Sequence, residues 1–87
     1  MDGFFEFPLV NGGFVGVPTG SIQSTENDSH DVTLVQTDGQ RHNAKVVSPM
    51  TLGEFNKAIA QAQRGNYVRV NAAGDKWITV DEASSGP

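Results

Sequence analysis

Tyr67, Arg69, Asn71 and Trp77 are the residues of this chain best suited to recognise a partner. They lie on the segments YVRVN and KWITV, which read as two strands joined by Ala72-Ala73-Gly74-Asp75. In an even register, Val68, Val70, Ile78 and Val80 share one face of that pair, and Tyr67, Arg69, Trp77 and Thr79 share the other. Aromatic rings beside a guanidinium stack nucleobases, at roughly 1–3 kcal/mol per base. The same residue types dominate the hot spots of protein interfaces. The competing assignment is structural: Trp77, the only tryptophan, closes the core beside a helix.

Arg41, Asn43 and Lys45 alternate along another segment and form a candidate basic stripe, which Arg69 can extend. The acidic balance of the chain favours a solvated outer face instead. Ten acids against six bases leave a net charge of −4. A surface built to follow a phosphate backbone carries excess Lys and Arg, so nucleic acid is a disfavoured partner.

His30 and His42 are the only histidines, and with Asp28 and Asp31 they offer a minimal zinc-ligand set. Their spacing matches no zinc motif. The run Asn27-Asp28-Ser29-His30-Asp31 lacks the glycine and the distal glutamate of a calcium loop. The serines sit in loops without a nucleophile elbow. No pair of acids stands in an apolar setting that would separate their pKa values. Gly12, Gly13 and Gly16 fall in a hairpin rather than between a strand and a helix, so they form no dinucleotide fingerprint. The residues point to no catalytic group, cofactor or metal, and to a protein that is not an enzyme.

The chain has 87 residues and no cysteine, which excludes disulfides and thiolate metal sites. The opening MDGFFEFPLV has no basic n-region, and Glu6 and Pro8 interrupt its apolar run. It reads as neither a signal peptide nor a membrane span, and a soluble cytoplasmic protein is expected.

Three strand pairs and one helix must position these residues. In the first pair, a three-residue Asn11–Gly13 loop sets Leu9 against Val15 and Phe7 against Val17. Phe5, Phe7, Leu9, Val15 and Val17 then share a face, since strand side chains alternate. Phe4, Val10 and Phe14 fall on the other face. Pro8 cannot donate to a ladder, which predicts an edge position or a bulge. In the second pair, a three-residue Thr37–Gly39 loop sets Val32 and Leu34 opposite Ala44 and His42. Thr33, Val35, Thr37, Arg41, Asn43 and Lys45 form its outer face. Residues 18–31 read as a polar connection anchored by Ile22.

Residues 48–65 have helical periodicity, with Leu52, Phe55, Ile59 and Ala62 on one face. Ser48-Pro49 and Thr51…Glu54 compete as the N-terminal cap, and Gly65 is the stop. The expected fold is α+β. It is a small antiparallel sheet or partly open barrel of about six strands in three hairpins. One helix, at about 50–64, packs its Leu52/Phe55/Ile59 face on the Val32/Leu34/Val46 sheet face. Residues 1–80 form a single domain, and 81–87 a flexible tail whose SSGP ending is either native or a cloning remnant.

The run FPLVNGG followed by FVGVPTGSI, then VTLVQTDGQRHNAKVV, then SPMTLGEFNKAI, resembles the FlbD/SwrD-like swarming-motility proteins over residues 4–63. The resemblance implies a short strand ending in Asn-Gly, a second strand and a turn with an apolar anchor. A strand–Gly–strand pair and a terminal helix follow. It also implies a small accessory protein that acts through contacts. The hairpin at 66–80 and the acidic balance depart from the pattern.

The leading expectation is a bacterial or bacteriophage accessory module that binds, and as a regulator inhibits, another protein. The alternatives are a nucleic-acid-binding β module using the Tyr67/Trp77 face, and a phage or appendage structural subunit. A structural subunit would assemble as a homo-oligomer through sheet edges.

Overall fold

Glycine sets the corners of the three hairpins expected from the sequence. Gly12, Gly39 and Gly74 have backbone φ values of 103°, 91° and 77°, a region costly for side chains with a Cβ. The computed structural model describes residues 3–28 and 31–80. His30 of the candidate metal group, and the 81–87 tail, lie outside the described residues.

Strands β1 (Phe4–Pro8) and β2 (Phe14–Pro18) are antiparallel. The Leu9 N–H donates to the Gly13 carbonyl at 2.9 Å, and the Gly12 N–H donates to Leu9 at 3.1 Å. The loop is therefore Val10–Gly12, one position earlier than expected. Phe5 pairs with Val17 and Phe7 with Val15. The register differs by two residues from the expected one. A two-residue shift keeps side-chain parity, so the same residues share the inner face. Phe5 and Phe7 are completely buried there.

Strands β4 (Asp31–Gln36) and β5 (Arg41–Ala44) pair as expected, Val32 with Ala44 and Leu34 with His42. The polar connection holds a strand the residue pattern hid. It is β3 (Ile22–Asp28), antiparallel to β4 and preceded by a 3-10 turn at Thr19–Ser21. An edge strand needs little apolar content, because one of its sides and much of its surface meet water.

Its presence corrects the outer face of the second pair. Thr33 and Val35 are buried, at 6% and 8% exposure. They lie on the central strand of a β3-β4-β5 sheet. Arg41 on β5 reaches across β4 to Glu26 on β3 at 2.6 Å, and the Thr33 hydroxyl donates to Asn43 Oδ1 at 3.0 Å.

Helix α1 runs from Leu52 to Gln63. Thr51, rather than Ser48, is its cap: Thr51 Oγ1 accepts the Glu54 N–H at 3.1 Å. Thr51→Ala is expected to cost about 1 kcal/mol, read as a lower urea midpoint at unchanged slope. An unchanged midpoint would show that the cap adds nothing. The helix ends at Gly65, whose φ is 100° and whose N–H donates to Ala62 at 2.9 Å.

Strands β6 (Tyr67–Val70) and β7 (Trp77–Val80) form the third hairpin. β6 also pairs parallel to β1, giving a mixed sheet of order β2-β1-β6-β7. Among the described residues the architecture is α+β, with one helix and seven strands in two sheets and no closed barrel. Helix α1 packs on β1, β6 and β7, not chiefly on the Val32/Leu34/Val46 face as the apolar pattern suggests. The helix leads directly into β6, and the parallel pairing places β6 beside β1. The Phe55 ring meets Phe5 edge-on at 5.2 Å and Phe7 at 5.8 Å. Val32 and Leu34 join the same core cluster from the other sheet.

Pro8 occupies neither a free edge nor a bulge. The side of β1 that pairs with β6 over Phe4–Glu6 turns to β5 beyond Pro8. There the Lys45 N–H donates to the Pro8 carbonyl at 2.8 Å and the Val10 N–H to Asn43 at 3.1 Å. Pro8 stands at the fork between the sheets, where a strand can lack an N–H without breaking a ladder.

Candidate functional site

The four-stranded sheet buries one face under α1 and leaves the other open. The register places two rows across the open face. Pro18, Phe4, Tyr67 and Val80 stand side by side, followed by Gly16, Glu6, Arg69 and Ile78. Phe14 lies beyond, opposite Pro8. Phe4, Phe14 and Ile78 are 37%, 44% and 57% exposed, and Val10 at the hairpin tip is 49% exposed. Thus, among the described residues, four of the five large exposed apolar side chains fall on one face or at its tip; the fifth, Val47, lies elsewhere.

Phe4 is held in place on this face. Its ring meets Tyr67 edge-on at 5.4 Å. It also covers Gly16: a Cβ there would fall 2.5 Å from the Phe4 ring. Glycine at that position lets the aromatic ring lie close over β2.

One polar cluster sits among these groups. Arg69 Nε donates to Glu6 Oε1 at 2.6 Å, and the Tyr67 hydroxyl donates to the same oxygen at 2.9 Å. The guanidinium lies 5.8 Å from the Tyr67 ring centre. The bond with the Tyr67 hydroxyl, then the bond and charge of Glu6, raise the Arg69 pKa further above its already high ordinary value. The face therefore carries a cation whose charge is already matched at contact distance.

Of the sequence-derived group, Tyr67 and Arg69 stand together on this face. Trp77 is on the opposite side. The third hairpin pairs Val70 with Trp77 and Arg69 with Ile78. The Asn71 N–H donates to Lys76 at 2.9 Å, closing the loop Ala72–Asp75. Four loop residues impose an odd register, which puts Ile78, not Trp77, beside Arg69. Trp77 packs against the core next to the helix, and its indole N–H donates to Glu54 Oε2 at 3.3 Å.

Asn71 belongs to the loop. Its side chain donates to Asp75 Oδ1 at 2.5 Å and accepts the Asp75 N–H at 3.0 Å. The sequence alone does not single out Glu6, Phe4, Phe14 and Ile78 as candidate contact residues. The loop length at 72–75 was the signal available for Ile78.

Arg41 and Asn43 alternate on β5, in the other sheet from Arg69, and Lys45 lies one residue beyond the strand. Arg41 is paired with Glu26 and Asn43 with Thr33, so no continuous stripe of free charge results. His42 is half-buried, bonded through Nε2 to Gln36 Oε1 at 2.7 Å. Among the described residues, no group of three or more His, Asp or Glu side chains gathers as metal ligands. Among them, too, no helix is long and apolar enough to cross a membrane.

Comparison with known protein families, curated proteins and solved structures found no match to this chain.

Proposed function

We propose that this chain is a non-enzymatic interaction module whose contact surface is the open face of the β2-β1-β6-β7 sheet, and that its partner is another protein. The observation that carries this reading is the gathering of Phe4, Phe14 and Ile78 on one face around Tyr67 and Arg69. Large apolar side chains left exposed together on one sheet face mark association sites. Tyr and Arg in such a setting are frequent hot spots.

Nucleic acid is the weaker partner, because Glu6 occupies the one guanidinium on the face at 2.6 Å. The FlbD/SwrD-like resemblance supports an accessory role in a bacterium or bacteriophage, including inhibition of the protein bound.

Quantitative capture from lysate of the source cells tests the reading. A Phe14→Ser/Ile78→Ser double variant should lose at least about 90% of the specifically captured partner, while Val47→Ser captures it like the unaltered chain. Circular dichroism should show the native spectrum for all three. Equal capture by the double variant would remove the open face from consideration. Capture lost through nuclease treatment, with a steep salt dependence, would point to nucleic acid instead.

A further inference from the structure

We propose that a second site, on the helix side of the third hairpin, receives the cationic head of an arginine or lysine side chain from a partner polypeptide. It is a cleft of about 440 Å³ between the Pro49-Met50 segment, the first turn of α1 and the β6–β7 loop. Pro49, Met50 and the Trp77 indole supply apolar walls, and Glu54 and Asp75 supply two carboxylates. It is distinct from the open face, because Trp77 and Ile78 point to opposite sides of β7.

The chemistry of the lining selects a long basic side chain. Its methylenes need apolar walls, and its head needs charge at the end of them. An indole face attracts a cation, most strongly when the site is partly desolvated. Carboxylates add charge-assisted hydrogen bonds, which in the case of a guanidinium take a forked geometry.

Neutral donors position both acids here. Glu54 Oε2 accepts the Trp77 indole N–H at 3.3 Å, and Asp75 Oδ1 accepts from the Asn71 amide at 2.5 Å. These bonds orient the carboxylates without cancelling their charge. Lys57 approaches Glu54 Oε1 at 3.4 Å, but its side chain is 73% exposed, so this bridge is weak and displaceable. Lys76 is the one cation in the lining, against two carboxylates. An anion gains little from the helix end, where Thr51 already caps the Glu54 N–H. The net charge of −4 draws basic polypeptides towards the chain as a whole.

Trp77 is the only tryptophan, so its emission reports on this cleft alone. Acetyl-arginine amide and acetyl-lysine amide should each produce a saturable change in that emission, with millimolar dissociation constants that rise with salt. Acetyl-norleucine amide, which keeps the stem and lacks the charge, should bind at least about tenfold more weakly. Glu54→Gln preserves an acceptor for the indole and removes one charge. Asp75→Asn does the same for the Asn71 bond. Each should weaken arginine binding about tenfold with the native circular dichroism spectrum retained; if one variant fails to fold, the other decides. Norleucine binding as tight as arginine would overturn the proposal, as would saturation by phosphate with none by the basic probes. No saturable change with either basic probe up to about 100 mM would also overturn it.

Discussion

Phe55→Ala is expected to remove a large share of the protein's folding stability. Phe55 has no exposed surface and lies against Phe5 and Phe7, where β1 meets the helix. Truncating a buried phenylalanine costs about 3–5 kcal/mol, through lost transfer energy and the cavity left behind. At about 0.05–0.15 kcal/mol per residue, a chain of 87 residues has roughly 4–13 kcal/mol in total. Urea denaturation followed by circular dichroism measures the loss. Phe55→Leu should keep well over half of the stability, because it fills much of the volume. A Phe55→Ala midpoint close to that of the unaltered protein would mean that the core closes without this ring.

Gly74→Ala should be strongly destabilising for a change that adds a single methyl group. Gly74 is buried, with φ of 77°, and a Cβ there would collide with the Lys45 carbonyl. Its own carbonyl accepts the Val47 N–H at 2.7 Å. The residue thus pins the β6–β7 loop to the segment that leaves β5. Left-handed strain and overpacking against backbone each cost about 1–3 kcal/mol, so a loss of about 2–6 kcal/mol is expected. Gly39→Ala provides the comparison. It has φ of 91° with open space around it, and should show the strain alone. Equal losses at the two positions would contradict the close approach at Gly74.

Local pairing was legible in the sequence where loop length and parity were argued together. The Thr37–Gly39 loop gave the β4–β5 register directly. In the first hairpin the loop moved by one position, yet parity protected the assignment of faces. In the third hairpin the loop Ala72–Asp75 was recognised, but its even length was not carried into the register. Trp77 was therefore placed beside Arg69 when Ile78 belongs there. Strand β3 was hidden because IQSTEND shows only one apolar residue, and an edge strand draws its order from the backbone ladder of its neighbour.

The parallel β1–β6 pairing leaves no local trace, since the two strands are far apart along the chain. Without a local signal for that pairing, the apolar pattern also directs the helix to the Val32/Leu34/Val46 face. The same lack of signal hid the open face, because Phe4, Glu6, Tyr67 and Arg69 become neighbours only through that pairing. Tyr67 and Arg69 were readable as candidate contact residues from their types. Phe4 and Phe14 were placed on the correct side of their hairpin without being recognised as part of the same surface.

The open face is the centre of the functional account, and site-specific photo-crosslinking tests it most directly. A photoreactive phenylalanine analogue is placed in turn at Phe14, at Ile78 and at the off-face position Val47, and each protein is irradiated in lysate of the source cells. The account predicts that positions 14 and 78 crosslink to the same protein, that unlabelled chain suppresses both products, and that position 47 does not yield that product. Crosslinks to that partner from position 47 alone, with none from 14 or 78, would contradict it.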